Sequence, residues 1–467
     1  AVLDPQQRLL LECAHMALHD GSVHESRQDV GVFVGIWASE WQSVLRTSPA
    51  MRESAFAGGA ADCAAASNRI SFARGFQGES MSIDTACSSA LVALNCATQA
   101  LGGETSACLA AGVNMIFDSG RLVQGVAAGL MSASGRSRPF DARADGYARS
   151  ETCSVIVIEA SLAHGEQISV AVGHAGRGGG NMTAPNGSAQ QGLLLRALAS
   201  AAVAADTVAC IEAAANGSQV GDPVESETVV RVFGRSRESA TGNVALSGIK
   251  GTYGHAEPGS GMVGLLQLAA SLYEGQTTAN AQLRVLSPHV RSMLTTVHTI
   301  VLPTHALRHV KLGSEAGKAT VGCVSAFGAT GTMAYAVVRR AADRGRAPLY
   351  PCGISKRRAF AWDEPMKHPL VQLRLPAEEH AGAVFSAPAA HFVRSISHDH
   401  FVEGRLIVPG ILYMEMLRAA SCALANPPAT RATLQSVQFV QGFLVDGEAA
   451  ADAVRIECTL EDSGFFD

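Results

Sequence analysis

The sequence has 467 residues, of which 47% are apolar and 16% are charged, with 47 glycines and a formal net charge of −5. A chain of this size and apolar content is expected to form one large domain and a smaller one around a sizeable core. The small negative charge argues against nucleic-acid binding, and every apolar stretch of membrane-spanning length contains a charge, which argues against a transmembrane helix.

The 11 cysteines are scattered, and the closest two, Cys87 and Cys96, lie nine positions apart. No CxxC pair is present, so neither a zinc knuckle nor a dithiol redox motif is predicted. An odd number of cysteines without a secretory signal indicates a reducing compartment. We therefore predict a cytoplasmic location and leave organellar targeting open, because both ends look like cuts within a longer chain.

The chain alternates short β-branched segments with Ala/Leu-rich stretches and glycine turns from about residue 30 to residue 340, which predicts a layered α/β architecture. The strand-like segments include VGVFVG (30–35), SVIVIEA (154–160), QISVAVG (167–173) and TMAYAVV (332–338). Residues 341–364 contain prolines and basic residues with little periodicity, as a linker does. The predicted organisation is one domain over 1–340, this linker, and a partial domain over 365–467.

The segment MSIDTACSSALVALNCA (81–97) places Cys87 between a short apolar run and a helix-like run. The N–H groups of a first helical turn have no partners within the helix, and the helix dipole is positive there. Both effects stabilise a thiolate, the reactive form of cysteine. We therefore predict that Cys87 is a nucleophile that carries an acyl group, the alternative being an inert buried cysteine.

The motif DTACSSALVAL (84–94) resembles the nucleophile motif of the β-ketoacyl synthase (ketosynthase) domains of polyketide and fatty-acid synthases. Seven further segments match that family in order: LDPQQRLLLE (3–12), VGVFVG (30–35), RPFDARADGYARSE (138–151), TAPNG (183–187), GDPVES (221–226), GIKGTYGHAEPGSGMVGLLQLA (248–269) and VSAFGATGT (324–332). The resemblance implies a thiolase-like α/β fold of five αβαβα layers, here without the family's opening segment. It identifies the chain as similar to a fragment of a modular polyketide synthase.

The resemblance also implies a reaction in three parts. The cysteine takes an acyl chain from a carrier-protein thioester, a malonyl-type extender loses CO₂, and the enolate attacks the acyl-cysteine. Lys250 and His255, in KGTYGH, match the family's lysine and second histidine. Such a histidine can donate a hydrogen bond to the enolate oxygen, and the lysine supports the local charges. The backbone N–H of Cys87 and of the turn at Phe327 and Gly328 would form the oxyanion hole.

The chain departs from the family at the first histidine, which lies in the motif E-A-H-G-T-G-T-x-x-G-D-P. Residues 212–223 read EAAANGSQVGDP, so Ala214 stands in the histidine's place. Alanine neither donates a side-chain hydrogen bond nor transfers a proton. Loss of one preorganised donor costs about 3 kcal/mol, or 10² to 10³ in rate. Decarboxylation should suffer more than acyl transfer. Asn216 and Ser218 replace threonines next to the pantetheine arm and keep hydrogen-bonding capacity.

Three hypotheses follow from this pattern. The leading one is a β-ketoacyl-synthase-type acyltransferase that loads and passes an acyl chain without extending it. The alternatives are a fully condensing enzyme that tolerates Ala214 and a catalytically silent ketosynthase-fold dimer that serves as a scaffold. The implied partners are an acyl carrier protein with its phosphopantetheine arm and a second copy of the chain. We predict no bound cofactor and no metal, nucleic-acid or membrane partner.

The segment HDHFVEGRLIVPGILYMEM (398–416) resembles the N-terminal active-site segment of polyketide dehydratases, which carry H-x-x-x-G-x-x-x-x-P. His400, Gly404 and Pro409 fit this spacing, and HPL (368–370) resembles the start of that domain. The resemblance implies the first, α+β half of a double hotdog, in which His400 removes the α-proton of a β-hydroxyacyl thioester. The apolar tract around it favours a neutral imidazole.

The alternative for this segment is a metal site at His398 and His400, but no third ligand is evident. The family's catalytic aspartate lies in the second hotdog, so this hydro-lyase unit is incomplete. The short stretch between the two domains is too small for an acyltransferase domain. We therefore expect either an acyltransferase that acts in trans or a bimodule that needs none.

Overall fold

The computed structural model describes residues 2–21, 23, 26–47, 54, 57–103, 105–160, 167–177, 181–234, 243–304, 310–311, 320–340, 368, 370–371, 373–375, 383–388, 400–402, 405–424, 432–435, 437–439, 444–445 and 455–460. The chain divides into two compact units, Ala1–Gly353 and Ile354–Asp467. The linker expected at 341–364 lies outside the described residues, and the domain limits stay predictions.

The helices of the first unit begin and end at recognisable signals. They are α1 (Pro5–Asp20), α2 (Trp41–Thr47), α3 (Ala57–Ala60), α4 (Ala64–Arg74), α5 (Ser89–Ala100), α6 (Gly120–Ala127), α7 (Gly187–Ser200), α8 (Gly221–Val229), α9 (Lys250–Tyr253), α10 (Ser260–Glu274) and α11 (Pro288–Leu294). Asp4 accepts the N–H of Gln6 at the start of α1, and Gly275, at φ +68°, ends α10. None of the described helices is long and apolar enough to cross a membrane.

The strands of the first unit form two main sheets and a short pair. They are β1 (Val30–Gly35), β2 (Ser80–Ile83), β3 (Ala107–Asn114), β4 (Thr152–Glu159), β5 (Gln167–His174), β6 (Val208–Glu212), β7 (Val244–Ser247), β8 (Gln276–Thr277), β9 (Ile300–Val301), β10 (Val310–Lys311), β11 (Thr320–Phe327) and β12 (Thr332–Arg340). The first sheet has the order β2-β1-β3-β4, the second has the order β5-β12-β11-β6-β7-β9, and β8 pairs with β10. The strands expected at 30–35, 154–160, 167–173 and 332–338 are confirmed.

The two sheets repeat one four-strand pattern. In the first, β1 runs parallel to β2 and β3, and β3 is antiparallel to β4. In the second, β6 runs parallel to β7 and β11, and β11 is antiparallel to β12. The second sheet also has β5 antiparallel to β12 and β9 parallel to β7. The carboxyl ends of the three parallel strands of each pattern therefore lie along one edge of their sheet.

Helices α5 and α10 form the central layer between the two sheets. Their apolar side chains share one core with both sheets, represented by Phe33, Leu94, Met262 and Val324. Helices α1 and α4 cover the other face of the first sheet, and α7, flanked by α8, covers the other face of the second. The first unit thus has the expected five αβαβα layers.

The close crossing of β1 and α5 depends on a glycine. A Cβ atom on Gly35 would lie 2.4 Å from the backbone nitrogen of Ala90 and 2.6 Å from the carbonyl carbon of Ser89. Because both contacts are backbone atoms, a side chain cannot be accommodated by a change of rotamer. Gly35 therefore fixes how near the start of α5 lies to the first sheet.

The second unit is an α+β assembly, as expected. Its elements are β13 (Leu373–Leu375), β14 (Ala383–Pro388), β15 (Phe401–Val402), β16 (Arg405–Ile407), α12 (Gly410–Leu424), β17 (Leu444–Val445) and β18 (Arg455–Leu460). The strands form two antiparallel three-stranded sheets, β13-β14-β18 and β15-β16-β17. Helix α12 packs against the first of them through a core that includes Phe385, Met416 and Cys458.

We predict that Gly35→Ala destabilises the first unit by about 1 to 3 kcal/mol, because the added methyl group forces α5 away from β1. Thermal denaturation followed by circular dichroism should show a lower midpoint. The matched control is Gly192→Ala in α7, where a Cβ atom meets nothing within 4 Å. That change should leave the midpoint unchanged or raise it, since alanine is the better helix former. Equal midpoints for the two variants would contradict the crossing argument.

Candidate active site

Cys87 lies in a sharp turn between β2 and α5. Ala86, the preceding residue, has φ +56°, a conformation that residues other than glycine rarely adopt. The turn is held by its own side chains. Ser88 donates its hydroxyl to the carbonyl of Thr85 at 2.8 Å, and Ser89 donates to the carbonyl of Ala86 at 2.6 Å. The polar residues of DTACSS therefore shape the backbone that presents the thiol.

The surroundings of the Cys87 thiol disfavour its ionised form. Burial raises its pKa to about 11, the positive charge of Lys250 lowers it, and the negative charge of Glu257 raises it. The backbone N–H of Ala329 hydrogen-bonds the sulfur and also favours the thiolate. Desolvation by the surrounding layers therefore outweighs the stabilisation of the thiolate predicted from the helix terminus, and the nucleophilic role of Cys87 stays a prediction.

The turn after β11 lies directly against the nucleophile turn. A Cβ atom on Gly328 would lie 2.4 Å from the carbonyl oxygen of Thr85. The N–H of Gly328 donates to the carbonyl of Thr332 at 2.7 Å and is therefore already used. Bonded and non-bonded pairs alternate in an antiparallel ladder, so the N–H of Phe327 points away from β12. Two residues were expected in the oxyanion hole. The N–H of Gly328 is bonded to Thr332, whereas that of Phe327 makes no bond to β12.

Sequence reasoning missed Ala329, whose N–H contacts the sulfur. An alanine carries no side-chain signal for such a contact. The only indication in the sequence was the glycine-rich segment VSAFGATGT, which predicted a turn at this place but not which N–H would face Cys87.

Lys250 is buried at the start of α9 and donates its Nζ proton to the carbonyl oxygen of Ala214. Burial lowers the pKa of its ammonium group, and three buried carboxylates oppose that shift. They are, in order of effect, Glu225, Glu212 and Asp222. Burial raises the pKa of Glu212 to about 7 and that of Asp222 to about 7. The lysine thus supplies the positive charge in a cluster of buried acids.

Ala214 lies beside this lysine, in the loop that follows β6. Its N–H donates to Glu225 Oε1 and to Ser325 Oγ, both at 2.9 Å, and the next N–H, of Ala215, donates to Glu225 Oε2 at 2.9 Å. The backbone at this position is fully held, but the methyl side chain offers neither a donor nor a proton. Position 214, where the first histidine was expected, therefore lies in the same site as Lys250 and Cys87.

Asn216 and Ser218 follow in the same loop and differ in their contacts. The side chain of Asn216 is half-buried and has no hydrogen-bond partner among the described residues. Ser218 Oγ accepts the N–H groups of Gly221 at 3.0 Å and Val220 at 3.3 Å. Ser218 therefore caps the start of α8, while Asn216 keeps its amide available.

His255 is buried in the turn between α9 and α10. The N–H of Glu257 donates to its Nδ1 at 3.3 Å, so the neutral ring carries its proton on Nε2. Burial, assisted by the charge of Lys250, lowers the pKa of the imidazole well below its usual value, so the ring is neutral. The ring of Tyr147 packs edge-on against it at a centroid distance of 4.6 Å. His255 is thus a neutral donor through Nε2.

In the second unit, His400 is exposed and its Nδ1 lies 2.8 Å from the carbonyl oxygen of Ile407. A carbonyl only accepts, so Nδ1 donates to it, and Nε2 is the acceptor nitrogen whenever the ring is neutral. The exposure differs from the apolar surroundings expected from the sequence. Pro409 immediately precedes α12, whereas Gly404 and His398 lie outside the described residues.

Comparisons with known proteins agree with this geometry. Family models match as "Beta-ketoacyl synthase, N-terminal domain" over 1–164, "Beta-ketoacyl synthase, C-terminal domain" over 164–284 and "Polyketide synthase dehydratase domain" over 368–466. A phenolphthiocerol/phthiocerol polyketide synthase protein of Mycobacterium tuberculosis is 32% identical over 379 residues, which are 77% of this chain and 16% of that protein. Polyketide synthase ThaG of Burkholderia thailandensis is 32% identical over 74% of this chain and 6% of its own length. The chain therefore spans only a small part of these relatives.

Solved structures resemble the same part of the chain. The oxazolomycin ketosynthase domain OzmH KS7 of Streptomyces albus JA3453 is 25% identical with a TM-score of 0.66, covering 86% of this chain and 68% of that one. The ketosynthase from module 6 of the bacillaene synthase of Bacillus subtilis 168 has a TM-score of 0.64 at 24% identity, covering 72% and 60%, and supports the fold alone. With both ketosynthase models and the dehydratase model matched in order, this chain belongs to the polyketide synthases and contains a thiolase-like ketosynthase followed by part of a hotdog dehydratase domain.

Proposed function

We propose that the first unit transfers an acyl chain from the phosphopantetheine arm of a carrier protein to Cys87 and passes it on with little or no elongation. The observation that carries this proposal is Ala214, which lies next to Lys250 in a site where Cys87 and His255 are present. Loading depends on the nucleophile and on backbone donors, whereas elongation also depends on side-chain donors.

Loading proceeds by thioester exchange. The sulfur of Cys87 attacks the carbonyl carbon of the incoming thioester, the new C–S bond forms, and the bond to the pantetheine sulfur breaks. The thiol proton of Cys87 ends on the departing pantetheine thiol. The N–H groups of Cys87 and Phe327 support the oxyanion between the two states. Lys250 lowers the cost of the thiolate. A contact between the amide of Asn216 and the pantetheine arm is part of the proposal.

Elongation requires stabilisation of an enolate when the extender loses CO₂. His255 supplies one donor through Nε2, and Ala214 supplies none. Loss of one such donor costs about 3 kcal/mol, which slows the step by 10² to 10³. A condensing enzyme that tolerates Ala214 would need a replacement donor. A silent scaffold would have no need for a nucleophile such as Cys87.

The second unit is proposed to be half of a dehydration site. The Nε2 lone pair of His400 can accept the α-proton of a β-hydroxyacyl thioester, because Nδ1–H is held by the Ile407 carbonyl. A carboxylic acid from outside the described residues would have to protonate the leaving hydroxyl.

We also propose that the chain forms a homodimer. Two features of the first unit support this: β2 lies at the edge of its sheet, and the side chain of Met81 on that strand is exposed.

The direct test incubates the chain first with an acyl thioester and then with malonyl carrier protein. Mass spectrometry of the Cys87 peptide should show a stable acyl adduct, and CO₂ release should stay near the level measured without enzyme. Brisk CO₂ release would show a condensing enzyme. No adduct, with product formation by the parent synthase unchanged in Cys87→Ala, would show a scaffold.

We predict that Ala214→His raises the rate of malonyl decarboxylation by about 10² to 10³, because it restores one donor to the enolate oxygen. Radiolabelled CO₂ release from malonyl carrier protein measures the change. The matched control is Ala214→Leu, which fills similar space without a donor and should show no gain. Equal rates in the two variants would contradict the assigned role of this position.

We predict that Lys250→Met raises the pKa of Cys87, because the positive charge that opposes burial is removed. At any pH below that pKa the thiolate fraction falls, so alkylation by iodoacetamide slows, by about tenfold whenever the pKa rises by one. Alkylation rates from pH 7 to 10 measure it, with Lys311→Met on β10 as the control. A profile in Lys250→Met that overlays the wild type would show that Lys250 does not act on the thiol.

A further inference from the structure

His255 is held by the backbone on both sides of Arg149. The N–H of His255 donates to the carbonyl of Ala148 at 2.7 Å, and the carbonyl of His255 accepts the N–H of Ser150 at 3.0 Å. The segment that carries Arg149 therefore forms a one-residue bridge with the histidine. The backbone position of His255 is set by this segment, which is distant in sequence.

The orientation of the His255 ring depends on Glu257. This residue has φ +49°, which is unusual for a side chain of its size, and in that conformation its N–H points at His255 Nδ1. Strained backbone of this kind persists only where the surroundings over-determine it. The side chain of Glu257 is 2% exposed, so its buried contacts hold the turn in this conformation.

Arg149 binds the carboxylate of Glu257. Its Nε donates to Glu257 Oε1 at 3.0 Å and its Nη2 to Oε2 at 2.9 Å, while the amide of Asn114 donates to the same carboxylate at 3.2 Å. The guanidinium also donates to Glu40, whose Oε2 accepts the N–H groups of Phe117 and Asp118. The arginine and both carboxylates are buried, so their charges are unscreened by solvent. Arg149 and its partners join three distant segments, around Glu40, Asn114 and Arg149, to the turn after His255.

We propose that Arg149 is a positioning residue for His255: by clamping Glu257 it fixes the turn at 255–257, so that Nδ1 accepts and Nε2–H faces the reacting carbonyl. Its consequence for turnover rests on the proposed function. A lysine at this position keeps the charge but presents a single nitrogen, which cannot hold a carboxylate in two-point contact while also reaching Glu40. A role in stability alone would leave the tautomer of His255 unchanged.

The first test measures the tautomer of His255 by NMR in the whole chain labelled with ¹⁵N-histidine, the His255 signal being assigned by its loss in His255→Gln. Arg149→Lys is compared with Arg27→Lys, a matched control whose guanidinium pairs with Glu159 at 2.7 Å at the far end of β4. We expect Nε2–H in wild type and Arg27→Lys, and exchange with Nδ1–H in Arg149→Lys. An unchanged Nε2–H signal in Arg149→Lys would overturn the proposal.

The second test adds Arg149→Lys to the Ala214→His background and measures CO₂ release from malonyl carrier protein. Misplacement of the donor should reduce the rate by about 10- to 100-fold, while alkylation of Cys87 by iodoacetamide, which needs no oxygen donor, stays unchanged. Parallel loss of both rates would indicate a structural role and overturn the proposal. If Ala214→His alone releases no CO₂, the assigned role of Ala214 fails, whereas the tautomer still decides the role of Arg149.

If Arg149→Lys does not fold, Glu257→Gln tests the same contact from the other side. Glu257→Gln keeps the size of the side chain and the backbone N–H but weakens the two-point contact with the arginine. The proposal expects the same mixture of His255 tautomers in this variant. A pure Nε2–H signal in a folded Glu257→Gln protein would overturn it.

Discussion

The buried ammonium group of Lys250 is the constraint on which the rest of the site depends. A cation in the interior must be surrounded by acceptors and opposite charges, because removal of one partner leaves an uncompensated charge. Those partners are Glu212, Asp222, Glu225 and the carbonyl of Ala214. All three carboxylates also accept backbone N–H groups, Glu212 from Ile249, Glu225 from Ala214 and Asp222 from Gly217. The carboxylates that balance the charge of Lys250 therefore also hold the loops after β6 and β7 in position.

A condensing enzyme must both transfer an acyl chain and stabilise an enolate, and different groups of this site serve the two requirements. Acyl transfer needs a nucleophile and an oxyanion hole, and the backbone supplies the second, so it persists whatever the side chains are. Stabilisation of an enolate needs side-chain donors of defined tautomer. Of the two positions proposed for such donors, one holds His255, a buried neutral imidazole, and the other holds Ala214, which has no side-chain donor. Under the proposed function, the substitution at position 214 removes one step and spares the other.

Sequence reasoning located the layers, the nucleophile turn and the positions of Lys250 and His255, because each depends on local periodicity or on a contiguous motif. It failed where the answer is tertiary. The protonation of Cys87 is decided by desolvation from layers that come from distant segments. The contact of the Ala329 N–H with the sulfur has no side-chain signature. The clamp of Arg149 on Glu257 joins residues more than a hundred positions apart.

The repeated strand pattern of the two sheets divides these duties between two halves of the molecule. At or after the carboxyl ends of β1, β2 and β3, the first half provides Glu40, Cys87 and Asn114. After the corresponding β6, β7 and β11, the second half provides Ala214, Lys250 and Phe327. An ancestral duplication would explain such symmetry. Cys87 follows strands of the first repeat, whereas positions 214 and 255 follow strands of the second. Under the proposed function, a loss of elongation with loading retained therefore requires changes in the second repeat only.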